Sequence, residues 1–271
     1  MEIYITGKKN IDARISVPGD KSISHRAVML GSIAKGDTKI SGFLRGRDCM
    51  STISCFEKMG IEIEVKGTDV TVRGKGLRGL SAPNGILDVG NSGTTLRLMT
   101  GLLAGQEFDS FITGDDSIKK RPMNRVAAPL KRMGGHISSL SSGSDIYAPI
   151  EIKGSPLKGV EHILPVASAQ VKSAIYLAAL YAEGETSIIE PYPTRDHTEI
   201  MLRYMGAYTG TCGRKLICHS AQELFARNIS VPGDISSAAF FMVAALICPG
   251  SHLIIENVGL NFTRMGIIYA L

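Results

Sequence analysis

Tryptophan is absent from the 271 residues, and the five cysteines (Cys49, Cys55, Cys212, Cys218, Cys248) form no C-x-x-C pair. That spacing excludes the common zinc ribbons and thioredoxin-like motifs and argues against a bound metal. Cys212 and Cys218 could face each other across a hairpin, but an odd count and no export signal point to reduced thiols in the cytoplasm. Met1-Glu2-Ile3-Tyr4-Ile5 alternates like a strand and lacks the basic-then-apolar order of a signal peptide. The longest apolar run, Ala238 to Cys248, is about half of what a bilayer needs. The basic residues are scattered, so a net charge of +5 suits a small anionic substrate better than a nucleic-acid stripe. No G-x-x-x-x-G-K-[ST] and no convincing G-x-G-x-x-G is present, so nucleotide binding is not indicated.

Thirty glycines are present, which fits many short elements joined by tight turns, and they punctuate an internal repeat. Ile15-Ser16-Val17-Pro18-Gly19-Asp20 recurs as Ile229-Ser230-Val231-Pro232-Gly233-Asp234. Two further segments, from Leu87 and from Leu164, share the plan that follows each copy: a Ser-bearing turn, an apolar helix, a Gly stop and a β-branched run. Second helices then close on Met59-Gly60, Met133-Gly134 and Met205-Gly206, each followed by a hairpin-like stretch such as "IEIEVKGTDVTVRG". The repeating unit is therefore βαβαββ, an α/β fold built of α+β repeats. Three units look complete from Asp20 to Ser220. A fourth is expected to supply a strand (229–232), a helix (234–248) and a strand (252–258), then to open a helix after Thr263-Arg264 without finishing.

The helix starts carry the chemistry. "GDKSISHR" puts Lys21, Ser22 and Arg26 around one helical turn, where free amides already attract anions. His25 reads as a packing residue. "GNSGTTLR" offers Asn91, Ser92, Gly93 and Thr94 at the same place in the second unit, with Arg97 one turn on as a structural residue. "KKRPMNR" holds Arg121 beside a Pro that suits the first turn of a helix, a stiff setting for a bidentate clamp. "VASAQVK" gives Ser168, Ala169 and Gln170, and "PTRDHTE" gives Arg195 ahead of another helix. Asp196-His197 is not read as half of a triad, because no G-x-S-x-G elbow accompanies it. A capped surface helix explains any one of these starts; four at equivalent places point to a site for a multiply charged anion.

In order and spacing, "VPGDKSISHR", "GNSGTT", "RPM", "SAQVKSA", "TRDHTE" and "PGDISSAAFF" resemble the successive motifs of the 5-enolpyruvylshikimate-3-phosphate synthase family, from about Ile15 to Ile268. The resemblance implies two domains of three βαβαββ units each, around pseudo-threefold axes. It divides the chain into 1–20, strands of a split domain; 21–231, a complete domain; and 232–271, an incomplete return into the split one. It implies transfer of the enolpyruvyl group of phosphoenolpyruvate to the 5-hydroxyl of shikimate 3-phosphate, with release of phosphate, in aromatic amino-acid biosynthesis. Lys21 would touch both substrates. Ser22, Arg26, Ser168, Gln170 and Arg195 would hold shikimate 3-phosphate, with Ala169 giving a backbone contact. Asn91, Gly93 and Arg121 would line the phosphoenolpyruvate side, and Lys21 and Arg121 would be the catalytic cations. No metal or organic cofactor, nucleic acid or membrane is implied, and the complete protein is expected to be a cytoplasmic monomer and a glyphosate target. The family's main acid/base carboxylates lie beyond the stretch present here, so this chain alone is expected to bind rather than turn over. The alternatives are a non-catalytic anion-binding remnant and the related transferase acting on UDP-N-acetylglucosamine. The second carries a Cys on its mobile loop, and "SIKKRPMN" has none.

Overall fold

The computed structural model describes residues 7, 10–140, 143–221 and 223–271; the strand expected at Met1–Ile5 lies outside the described residues. β1 (Asp12–Ser16) leads into α1 (Lys21–Ser32), β2 (Lys35–Ser41), α2 (Arg47–Lys58) and the hairpin of β3 (Glu62–Lys66) and β4 (Asp69–Lys75). Next come β5 (Leu87–Asp88), α3 (Gly93–Ala104), β6 (Ser110–Thr113), the single turn α4 (Asp116–Lys119), α5 (Asn124–Arg132), β7 (His136–Ser139) and β8 (Ile150–Lys153). The third stretch is β9 (Glu161–Ile163), α6 (Ala169–Ala179), β10 (Glu185–Ile189), α7 (His197–Tyr204), β11 (Thr209–Cys212) and β12 (Lys215–His219). β13 (Ile229–Ser230), α8 (Ile235–Ile247), β14 (His252–Glu256) and α9 (Gly266–Ala270) follow.

Three four-stranded sheets share one topology: β5-β6-β8-β7, β9-β10-β12-β11 and β13-β2-β4-β3. In each, the first two strands are parallel and the closing hairpin is antiparallel. The helices pack in a cycle: α2 against α3, α5 against α6, and α7 against α1. Thus each unit's first helix meets the second helix of its neighbour. α1, α3 and α6 are buried on nearly every side, which their apolar composition permits. The α2, α5 and α7 helices end at Met59, Met133 and Met205, and the glycine after each has φ of 85°, 100° and 102°.

One expectation fails in an informative way. The strand before α8 does not open a fourth unit; β13 instead pairs with β2 and completes the first sheet. Its repeat copy, β1, pairs in parallel with β14 across the full strand. The two copies exchange places because the chain crosses itself at the Pro-Gly-Asp turns. The Asp20 amide donates to the Pro232 carbonyl at 2.8 Å, and the Asp234 amide donates to the Pro18 carbonyl at 2.9 Å. Both turns need glycine here: a Cβ on Gly19 would lie 2.0 Å from the Gly42 carbonyl oxygen, and one on Gly233 would lie 2.7 Å from Val17. The Arg264 guanidinium spans the crossing, pairing with Asp20 at 2.5 Å and with Asp234 at 3.0 Å.

Cys212 and Cys218 do not face each other. Cys218 sits opposite Thr209 and Thr186, while Cys212 pairs with Lys215, because the hairpin turns tightly at Gly213-Arg214. All five thiols are free.

Candidate functional site

Three first helices begin on side-chain caps. Asp20 accepts from the Ile23 amide at 2.9 Å, Ser92 from Thr95 at 3.1 Å, and Ser168 from Val171 at 3.4 Å. In the first unit the cap is therefore Asp20, and Ser22 sits within the first turn with its hydroxyl open to other partners. The other amides of these turns and the residues just past the caps make up the candidate site.

Its first part gathers on α1. Arg26 is only 5% exposed. Its Nε donates to the Thr198 hydroxyl at 2.6 Å, Nη2 to the Ser173 hydroxyl at 2.7 Å, and Nη1 to the Ser22 carbonyl at 3.0 Å. Arg195 reaches across from the start of α7 and donates to the Ser22 hydroxyl at 3.1 Å. Lys21, about half exposed, pairs with Asp48. Burial, and after it the repulsion of Arg195, pulls the Arg26 guanidinium down to about 10 from its ordinary value.

The second part gathers on α3. Arg97 donates to Gln170 Oε1 at 2.8 Å, and Gln170 Nε2 donates to the Thr94 hydroxyl at 3.1 Å, so the starts of α3 and α6 are stitched together. Arg121 Nη2 donates to Ser117 at 3.1 Å and to Asn91 Oδ1 at 3.4 Å, while Asn91 Nδ2 donates to Asp115 at 2.6 Å. Two guanidiniums close on one glycine: a Cβ on Gly93 would lie 2.8 Å from Arg121 Nη1 and 2.9 Å from Arg97 Nη1. Burial and the charges of Arg121 and Arg125 push Arg97 below its ordinary value. Among the described residues, no carboxylate lies within 4.0 Å of the guanidiniums of Arg26, Arg97, Arg121 or Arg195. The α6 helix joins the two parts, with Gln170 on the α3 side and Ser173 on the α1 side. Four arginines held by neutral partners, with Arg26 and Arg97 desolvated, make a strong field for anionic groups.

A family model described as EPSP synthase (3-phosphoshikimate 1-carboxyvinyltransferase) matches residues 5–271. The chain belongs to the EPSP synthase family. The 3-phosphoshikimate 1-carboxyvinyltransferase of Shouchella clausii is 56% identical over 264 residues, which cover 97% of this chain and 61% of the relative. That of Bacillus cereus is 57% identical over 258 residues, covering 95% of this chain and 60% of the relative. The solved EPSP synthase of Acinetobacter baumannii superposes with a TM-score of 0.91 at 50% identity, over 97% of this chain and 59% of that one. The chain thus spans about 60% of the length of the family members it matches.

Measured against the family's motifs, Lys21, Ser22, Arg26 and Arg195 come together as one group, and Asn91, Gly93, Gln170 and Arg121 as another. The Ser168 hydroxyl is occupied as a cap, and Ala169 is a buried residue of the first helical turn. Arg97, read from sequence as structural, stands beside Gly93 and bonds Gln170. Its signal was available: an arginine one turn into a buried apolar helix needs a partner. Pro122 does not enter a helix; it lies between α4 and α5, just ahead of the Met123 cap. His25 is fully buried, with Nδ1 2.7 Å from the Thr52 hydroxyl, and burial holds it down at about 3. His197 is likewise driven by burial to about 4, and Asp196 accepts from Asn261 at 2.7 Å. At the fourth start, Asp234 is held by Arg264 at the chain crossing rather than by the cation cluster.

Proposed function

We propose that the chain forms the shikimate 3-phosphate half-site, and part of the phosphoenolpyruvate side, of a 3-phosphoshikimate 1-carboxyvinyltransferase. The observation that carries this reading is Arg26: a buried guanidinium with only neutral hydrogen-bond partners, with the charge of Arg195 close by. A phosphate dianion is the ligand such a group favours, since charge-assisted bonds offset its desolvation. Ser22, Ser168 and Gln170 add donors and acceptors for a hydroxylated ring. Arg121 and Arg97, which close on Gly93 from two sides, suit a compact substrate bearing carboxylate and phosphate.

In the reaction, the 5-hydroxyl gives up its proton and its oxygen bonds to C2 of phosphoenolpyruvate as C3 takes a proton. The tetrahedral adduct then loses phosphate and a methyl proton to restore the enol ether. Lys21 and Arg121 would stabilise charge on the migrating groups. The proton transfers need a positioned acid and base. The carboxylates that touch the site residues, Asp48 and Asp115, are taken up by Lys21 and Asn91. Binding without turnover is therefore expected of this chain alone. We further read 21–231 as one domain of three units around a pseudo-threefold axis. Residues 1–20 and 232–271 belong to a second domain, which the rest of a family-length chain would complete.

Calorimetry with shikimate 3-phosphate tests the site. Arg26→Ala and Arg195→Ala should each weaken binding about ten- to a hundredfold, the loss of one charge-assisted contact. Lys153→Ala, on β8 outside the cluster, should leave it alone. Unchanged affinity in both arginine variants would refute the assignment.

A further inference from the structure

Arg195 hangs from the connection between β10 and α7, yet it must hold a guanidinium steady against α1. A chain of buried contacts behind it is arranged to do this. Lys172, one turn into α6, is 2% exposed. Its Nζ pairs with Glu190 at 2.9 Å and with Glu199 at 2.7 Å, and donates to the Thr194 carbonyl at 3.3 Å. Glu190 in turn grips Thr194, the residue immediately before Arg195. It accepts from the Thr194 hydroxyl at 2.5 Å and from the Thr194 amide at 3.4 Å. From the far side, Arg214 donates to the Glu190 carbonyl at 3.3 Å and the Pro191 carbonyl at 2.9 Å. The contacts of Lys172 and Glu190 with Thr194 thus meet on the residue that precedes Arg195.

Stability does not explain this arrangement. A buried ion pair rarely outperforms apolar residues of the same volume, because its desolvation cancels most of the attraction. A fixed geometry is what such a pair provides and an apolar pair does not, and a site gains affinity when its groups are held in place before the ligand arrives. We propose that Lys172 and Glu190 are positioning residues for substrate binding: through Thr194 they set where the Arg195 guanidinium stands against Ser22. This rests on the reading of Arg195 as a shikimate 3-phosphate contact. Lys172 was passed over in the sequence, although a lysine inside "SAQVKSAIYLAAL" is a charge in an otherwise apolar helix and so marks a buried partner.

The mildest test is Thr194→Val in the 271-residue chain, which removes the hydroxyl held by Glu190 and keeps the side chain's shape. Shikimate 3-phosphate affinity should fall about three- to tenfold, with the denaturation midpoint nearly unchanged. Thr194→Ser should restore it. In an Arg195→Ala background Thr194→Val should add no further loss; an equal loss in both backgrounds would overturn the proposal. A second measurement needs no substrate. The Arg195 Nε–Hε NMR signal, assigned by its disappearance in Arg195→Ala, should move and broaden in Thr194→Val and in Lys172→Met. If that signal stays put in folded variants, positioning is ruled out. If shikimate 3-phosphate fails to bind the unaltered chain, the functional reading falls and the NMR result alone decides the proposal.

Discussion

Two kinds of apolar helix occur in this molecule, similar in sequence and opposite in surroundings. α3 and α6 are buried along nearly their whole length, packed on each other and on the second helices of neighbouring units. α8, written "ISSAAFFMVAALI", is at least as apolar, yet only Ile235 and Ala238 are buried, and Phe240 is 79% exposed. Both kinds begin on a side-chain cap and precede a β-branched strand, so local sequence does not separate them. The difference is topological: α3 and α6 lie inside a closed cycle of units, whereas α8 packs on a two-stranded sheet of β1 and β14. Apolar periodicity therefore marks a face that needs a partner, and only the tertiary arrangement says whether one is supplied.

The largest expected contrast is in hydrogen exchange. Amides of α1, α3 and α6 should exchange at rates set by global unfolding, and those from 233 to 271 several orders of magnitude faster, through local opening. Equal protection of α8 in a chain that is monomeric by light scattering would dissolve the contrast. Next in size is a pair of leucine truncations. Leu98→Ala, in the α3 core, should cost about 2–5 kcal/mol, whereas Leu246→Ala, 61% exposed on α8, should stay within about 0.5 kcal/mol. Denaturant midpoints for the two variants check this, and similar losses would mean that α8 is packed in solution. Smaller still is a pH effect confined to the three-unit region. Burial holds His25 at about 3 and His162 and His197 at about 4, all below the ordinary histidine value. Below about pH 6.5 the unfolded chain takes up protons that the folded chain refuses, so stability should fall as pH drops from there towards 4. His162 has no hydrogen-bond partner on either ring nitrogen among the described residues. His162→Leu should therefore make this slope shallower, with His25 and His197 supplying what remains, and an unchanged slope would mean that His162 does not contribute.

The units, their order and most of the site were legible because they are local: caps, Met-Gly stops, hairpin turns and cations at helix starts all fall within a few residues. What escaped was long-range. The two Ile-Ser-Val-Pro-Gly-Asp copies look alike, so nothing local says that β13 joins β2 while β1 joins β14. The partners of Arg26, namely Ser173 and Thr198, lie 147 and 172 residues away along the chain. Arg97 and Lys172 were undervalued for the same reason, since their roles depend on Gln170, Glu190 and Glu199 on other elements or further along the chain.

The central claim is that the starts of α1, α3 and α6 form one anion site in which α8 has no part. A hydrogen-exchange footprint of shikimate 3-phosphate on the 271-residue chain tests it directly. The account predicts added protection at residues 21–26 and 168–173 and in the segment leading to Arg195, with none from 235 to 247. Protection centred on α8, or none anywhere at a saturating concentration, would contradict it.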